Sequence, residues 1–328
     1  AESDLNDRRV VLPREAGGLG MHAAWTDDFH HAVHAHITGE RDGYYADFGA
    51  VERIAEAIER GWCYAWDYST ARRRHHGNDP TALPTNSFVF CTQNHDQTGN
   101  RMLGERLSAI AGADAERPAR ALLLLLPYVP LLFMGQEYGE ERPFLYFVDH
   151  QDPDLLTATR EGRAREFAAF HREGSPPDPG AEETRRRSVL SWPAVAEERE
   201  LTRQLIDLRR RFDCFRPAPA GQPQVVRRAA TRGNVLVVRL CGNTSCGLIV
   251  TNLGDSAAEL AITDVVAPRA SSNRTKEGVP ADEAAETVVA LSSARGPGSE
   301  LRTSEPVRLE PWEFVAGVLP ARSTISDR

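Results

Sequence analysis

The sequence predicts a parallel α/β domain followed by a small antiparallel β domain, and three observations carry that prediction. Helix-patterned and strand-patterned segments alternate through the first two thirds of the chain, polar residues gather directly behind the apolar strand runs, and beyond Pro217 short β-rich runs follow one another with no helix between them. Alternation of this kind marks a parallel sheet covered by helices, with its binding site at the C-terminal ends of the strands. The 328 residues suffice for one to three domains.

In "ADFGAVERIAEAIERG", Val51, Ile54, Ala55 and Ile58 share one helical face, and Gly61 is placed to end the helix. "WCYAW", Trp62 to Trp66, reads as a short buried strand, followed by a polar, basic loop through "DYSTARRRHHGNDP". After Pro84, "SFVFC" is a continuous apolar run of the kind found in strands covered on both faces. "RMLGERLSAIAG" and "RPARALLLLL" predict helices, the second halted by Pro127, and "PLLFMG" predicts the next strand, ending in the polar "QEYGEE". A helix is expected over 197–212, where Leu201, Leu205, Leu208 and Phe212 recur at helical spacing. Then come "QVVRR", "NVLVVRLCG", "CGLIVTNLG", "AELAITDV" and "EPVRLEPWEFVAGVL", short strands punctuated by Gly, Asn and Pro that suggest an antiparallel sandwich. The domain boundary is expected near 214–222, dividing the chain into 1–215 and 216–328, with a surface loop across 269–304.

Composition narrows the partners. A formal net charge of −8 argues against nucleic acid or an anionic membrane and favours a neutral small molecule or sugar. The longest apolar stretch, "ALLLLLPYVPLLFMG", is interrupted by prolines and too short to cross a bilayer. Five cysteines, Cys63, Cys91, Cys214, Cys241 and Cys246, lack the paired spacing of a disulfide framework or a zinc site, which predicts a reducing, cytoplasmic compartment. The chain opens "AESDLNDRRVV" with neither an initiator Met nor a signal peptide, and an upstream segment is expected.

The chemistry concentrates in "CTQNHDQTGNR" behind the "FVF" run. In one interpretation Asn94 and Asp96 cap the following helix and His95 satisfies a buried carbonyl. In the other, Gln93, Asn94, His95 and Asp96 grip the paired hydroxyls of a sugar. Glu137 behind "FMGQ", Trp25, and the Tyr44/Tyr45 pair are further candidates to meet substrate, each with burial or a loop role as the alternative. His30 and His34 have the spacing of two metal ligands but no evident third, so no metal or other cofactor is expected. Arg72, Arg73, Arg74, His75 and His76 read as a solvated basic loop. Asn243 and Asn273 match a glycosylation pattern that matters only on a glycosylating secretory route.

Three stretches taken together go further. "AESDLNDRRVVLPREAGGLGMHAAWTDDFHHAVHAHITGERDGYYADFG", "CTQNHDQTGNRMLGERL" and "LLFMGQEYGEERPFLYFVDH" resemble the maltooligosyltrehalose trehalohydrolases, a branch of the α-amylase superfamily of glycoside hydrolases. The "NHD" core is shared across that superfamily, whereas "WTDDFHHAVHAHITGE" and "FLYFVDH" point to the trehalohydrolase branch. The resemblance runs from residue 1 to the 215 region, and the β-rich tail is similar to the family's C-terminal domain.

The resemblance implies strands 5 to 8 of a (β/α)8 barrel, with Glu2 as general acid/base, Asp96 as transition-state stabiliser and His95 in contact with the sugar at the cleaved bond. The family's nucleophile, an aspartate in a "G-F-R-x-D-A"-like motif one strand earlier, has no counterpart here. Asp213 and the "TDVVAP" stretch, Thr263 to Pro268, sit in the wrong places along the chain. The expectation is the C-terminal part of a trehalohydrolase, acting on maltooligosyltrehalose or a related α-glucan, without a cofactor and inactive until the rest of the barrel is supplied. A fragment of an α-glucan branching or debranching enzyme, and a non-catalytic glucan-binding remnant, are the alternatives.

Overall fold

The computed structural model describes residues 1–169, 175–192, 196–261, 287–293, 299–302 and 305–319. They fall into two compact units, the first formed by Ala1–Thr92, Arg117–Pro130 and Leu201–Arg328, the second by Gln93–Glu116 and Leu131–Glu200.

At the centre of the first unit lies a three-stranded sheet of β1 (Ala24–Thr26), β4 (Phe88–Phe90) and β5 (Val129–Pro130), in that order. All its pairings are parallel, with Ala24 opposite Phe88 and Val89 opposite Val129. Ala1 continues the pattern on the other side of β1: its amino group donates to the Ala23 carbonyl at 2.7 Å, and Trp25 N donates to the Ala1 carbonyl at 2.9 Å. Those are the two slanted bonds of a parallel bridge to Ala24. Helix α1 (Asp27–Thr38) packs against β4, α2 (Val51–Arg60) packs against α1, and α5 (Ala113–Leu125) leads toward β5. The sheet's aromatic core is a stack in which the Phe29 and Phe90 rings lie 4.6 Å apart and the Phe90 and Tyr128 rings 4.0 Å apart. The buried Tyr128 hydroxyl donates to the Ile58 carbonyl at 2.7 Å, tying α2 to the approach of β5.

Two strand expectations shift here. "WCYAW" is not a strand as a whole: β2 is Ala65–Ser69, paired antiparallel with β3 (Arg74–Gly77) in the stretch expected as loop. The reason is Asp28, whose Oδ2 accepts from Cys63 N at 2.6 Å and Tyr64 N at 3.1 Å. A buried carboxylate, rather than a neighbouring strand, satisfies that backbone. Of "PLLFMG" only Pro130 is strand, paired in β5 together with the preceding Val129. Beyond them the Gln136 side chain accepts from Phe133 N at 3.3 Å and Arg106 donates to the Met134 carbonyl at 2.8 Å, so side chains replace the ladder.

The β-rich region belongs to this same unit. A six-stranded antiparallel sheet runs in the order β11 (Ser299–Arg302), β10 (Thr287–Ser292), β13 (Phe314–Leu319), β8 (Cys246–Asn252), β7 (Val235–Cys241), β6 (Val226–Arg232). Opposite it are the paired strands β9 (Ala258–Ala261) and β12 (Pro306–Leu309). Val237, Val250 and Val315 of the large sheet share one core with Leu260, Val307 and Leu309 of the small one. Part of the expected 269–304 loop is therefore strand; its remainder, with Asn273 and Thr263 to Pro268, lies outside the described residues.

The cysteine expectation is corrected as well. Cys241 and Cys246 face each other across the β7–β8 hairpin and form a disulfide, while Cys63, Cys91 and Cys214 are buried outside any disulfide. Hairpin register, invisible in the spacing rules for disulfide frameworks, brings the two together. Asp213 serves the same hairpin, accepting from Thr244 N at 2.8 Å and from the Ser245 hydroxyl.

The second unit holds α3 (His95–Gly99), α4 (Leu107–Ala111), α6 (Pro153–Ala169) and α7 (Glu182–Arg187). The helix expected from "RMLGERLSAIAG" is confined to α4. Gly104 takes φ +62, its carbonyl accepts from Phe144 N at 2.8 Å, and a Cβ on it would lie 2.5 Å from the Phe144 carbonyl oxygen. That close approach breaks the helix. Helix α8 (Ala196–Arg211), matching the 197–212 expectation, ends in the first unit.

Candidate active site

The expected site residues lie on two segments, one in each unit. In the first, Glu2 is exposed and follows Ala1, whose backbone is held by β1, while Trp25 stands half-buried on β1 itself. Behind Glu2 the loop is tied down residue by residue. The Asp4 carboxylate accepts from Arg72 at 3.0 Å, and the Asp4 carbonyl accepts from His76 Nε2 at 2.8 Å. Asn6, in the left-handed region at φ 50, donates to the buried Asp28 carboxylate at 2.8 Å. Asp7 accepts from Asn78 Nδ2 at 2.8 Å and from Arg9 Nε at 2.8 Å. The hydrogen bond from Arg9 holds the Asp7 carboxyl down at about 2, against the opposing effect of burial.

Asp28 thus joins three backbone and side-chain donors from two loops at one oxygen. Burial nonetheless pushes its carboxyl up from the usual range, with the Tyr64 and Cys63 N–H groups pulling the other way. No motif marks it in the sequence; a carboxylate in the first turn of a helix ordinarily reads as favourable dipole chemistry.

The histidines of α1 are structural. His30 donates Nδ1–H to the Thr92 carbonyl at 2.7 Å and accepts from the Tyr45 hydroxyl at 3.0 Å, and His34 Nε2 lies 2.9 Å from Glu40. His31 is buried, and that burial, followed by the neighbouring His30, keeps its imidazole well below the ordinary range. Metal-like spacing on this helix therefore serves packing: His30 holds the backbone at Thr92, where the polar segment begins.

In the second unit that segment divides sharply. Asn94 is 1% exposed, and its side-chain oxygen caps α3 by accepting from Asp96 N at 2.9 Å and Gln97 N at 3.0 Å. Gln93, 4% exposed, accepts from Leu107 N at 3.0 Å. Both were expected to meet substrate; both side chains are buried and bonded to backbone, and for Asn94 that bond is the cap of the alternative interpretation. His95 and Asp96 differ. Their side chains are 50% and 53% exposed, with His95 Nε2 3.3 Å from the Asp96 carboxylate. Glu137 is half-buried in the turn Gln136–Tyr138. Sequence reasoning missed Glu140, whose buried carboxylate gathers Arg142 N at 3.0 Å, Ser191 N at 2.6 Å and the Tyr138 hydroxyl at 3.1 Å, shaping the loop that carries Glu137.

Along the chain, Glu2 precedes β1, and His95 and Asp96 follow β4. The trehalohydrolase of Saccharolobus solfataricus is 45% identical over 212 residues, covering 65% of this chain and 37% of that protein. That of Arthrobacter ramosus is 46% identical over 195 residues, covering 58% of this chain and 34% of that protein. The chain resembles the malto-oligosyltrehalose trehalohydrolases. It spans little more than a third of the length of these curated relatives. A crystal structure from Salmonella typhimurium, of a protein assigned as an alpha amylase, superposes with a TM-score of 0.72 at 30% identity, covering 97% of this chain and 50% of that one. The likeness to α-amylase-type enzymes supports the α/β fold with a C-terminal β-sheet domain. No protein-family model matches the chain. Among the described residues no helix is long and apolar enough to cross a membrane.

Proposed function

We propose that this chain contributes the general acid/base and the stabilising carboxylate of a retaining glycoside hydrolase that cleaves the α-1,4 bond next to the terminal trehalose of maltooligosyltrehalose. The observation that carries this reading is the separation within "QNHDQ". Gln93 and Asn94 are buried and occupied by backbone, and they leave His95 and Asp96 as an exposed pair on a braced segment. A capping motif alone would have no use for that pair. Likeness to the trehalohydrolases supports the substrate class.

Retaining hydrolysis needs one carboxyl group to protonate the leaving oxygen and a second, roughly 5 Å away, to attack the anomeric carbon. Glu2 takes the first role and later deprotonates the attacking water. Asp96 binds ring hydroxyls more tightly as the sugar flattens toward the oxocarbenium ion, which is selective binding of the transition state. His95 contacts the sugar at the cleaved bond, with Trp25 and Glu137 as flanking contacts. The attacking aspartate is assigned to a segment outside these 328 residues, because the motif that bears it in the family does not occur in them. In this proposal residues 1–215 form strands 5 to 8 of a (β/α)8 barrel, 216–328 form its C-terminal sandwich, and the chain alone turns over no substrate.

The test is substitution in the assembled enzyme. Glu2→Gln and Asp96→Asn are each expected to lower kcat for trehalose release by about 1000-fold or more, with a smaller change in KM. Unchanged kcat in either variant removes that residue from the mechanism.

A further inference from the structure

We propose that Trp66 and His75, on the β2–β3 hairpin, form a stacking platform for one glucose ring of an α-glucan. The ligand class rests on the function proposed above; the platform rests on the hairpin's own geometry.

The hairpin pairs Ala65 with Gly77 and Asp67 with His76, so Trp66 is the extra, unpaired residue of a bulge. It takes φ 82. Left-handed backbone is a position for glycine, and a bulky aromatic there is a strained outlier. Such strain is ordinarily offset by packing, yet Trp66 is 69% exposed. The bulge therefore turns a large apolar ring outward at a cost to the fold, and bulges that re-aim a side chain concentrate beside functional sites.

The ring is also held ready. Trp66 and His75 stack with centroids 5.6 Å apart and planes 15° from parallel, while His75 Nδ1–H donates to the Trp66 carbonyl at 2.7 Å. The exposed Tyr68 meets His75 edge-on at 5.9 Å. A platform fixed in advance loses little entropy when a ligand covers it. Its rim is polar, since Asp67 and Arg74 are both exposed on the same hairpin. A pyranose offers the matching surface: an apolar C–H face for the ring and hydroxyls around the edge for the carboxylate and the guanidinium.

Position supplies the third argument. The hairpin is bonded directly to the loop of the proposed acid/base, through Arg72 to the Asp4 carboxylate and His76 to the Asp4 carbonyl. Asp4 is two residues from Glu2. Glu2 and the hairpin belong to the same compact unit, and an aromatic surface on that unit would hold a glucan ring away from the bond that breaks.

The test measures maltoheptaose binding to the purified chain by calorimetry, beside urea unfolding, for the wild type and for Trp66→Gly, Trp66→Phe and His75→Ala. Trp66→Gly is expected to bind about tenfold more weakly while its unfolding midpoint rises, because glycine relieves the backbone strain as the platform disappears. Trp66→Phe keeps most of the affinity, and His75→Ala falls between. A residue of purely structural importance would not show a more stable variant that binds worse. Equal affinity in Trp66→Gly, no binding by the wild type, or a Trp66-dependent self-association that maltoheptaose does not disturb would overturn the platform. Turnover plays no part in the binding measurement. Trp66-dependent binding without trehalose release from the assembled enzyme would therefore sink the proposed function and leave the platform standing.

Discussion

Asp7 shows how much of the Glu2 loop depends on single hydrogen bonds. Its carboxyl, held at about 2 chiefly by the bond from Arg9, lies below the ordinary 3.8. A depressed carboxyl stabilises the fold fully above the unfolded value, and that contribution fades as pH falls from about 4 toward about 2. Asp7→Asn is therefore expected to be less stable than the wild type at pH 7, with the gap closing through that window, as urea titrations at stepped pH would record. A gap that stays constant down to pH 3 would mean the pairing contributes through shape alone. At this scale the sequence was legible at Asn94, whose type and position before a helix announce the cap it forms on α3. It was not legible at Asp28 and Glu140, because each carboxylate gathers donors from segments distant along the chain, and nothing local announces that geometry.

Elements were legible where one apolar face faces one core. The α2 periodicity of Val51, Ile54 and Ile58 became a helix of Val51–Arg60, and 197–212 became Ala196–Arg211. The β2–β3 hairpin was hidden because its residues are mostly polar or exposed, and helix α6 because "PDLLTATREGRAREFAA" has no consistent apolar stripe. What closes an element is equally hard to read. The C-terminus of α5 is capped by Arg209 of α8, which donates to the Leu124, Leu126 and Tyr128 carbonyls at 2.9, 2.7 and 2.6 Å. Helix ends leave such carbonyls unsatisfied, and burial makes leaving them so expensive. Arg209→Met is expected to cost roughly 3 kcal/mol in urea unfolding; a loss below about 0.5 kcal/mol would show that water replaces the guanidinium without penalty.

For the whole molecule, alternation of elements announced the α/β class and the run of short strands announced the β-rich region, both of which the structure contains. The boundary between them is another matter. The two regions share one compact unit, joined where Arg227 donates to the Glu59 carbonyl at 3.0 Å and Ala229 N donates to the Glu59 carboxylate at 2.9 Å. A change of pattern in a sequence marks where the type of element changes, not where contacts thin out. The β core should behave as part of that unit. Leu309→Ala, fully buried between the two sheets, is expected to cost roughly 3 kcal/mol. Its unfolding should be a single transition seen alike by tryptophan fluorescence and circular dichroism, whereas separate transitions would mean that the β region melts independently.

The central claim is that this chain holds the acid/base and stabilising half of a trehalose-releasing site, and that the attacking aspartate comes from elsewhere. The most direct measurement is trehalose release from maltotriosyltrehalose by the purified chain, alone and mixed with a separately expressed N-terminal fragment of the Arthrobacter ramosus relative. The account predicts no release from the chain alone, release in the mixture, and loss of that release on Glu2→Gln or Asp96→Asn. Release by the chain alone would contradict it, since a nucleophile would then lie within these 328 residues.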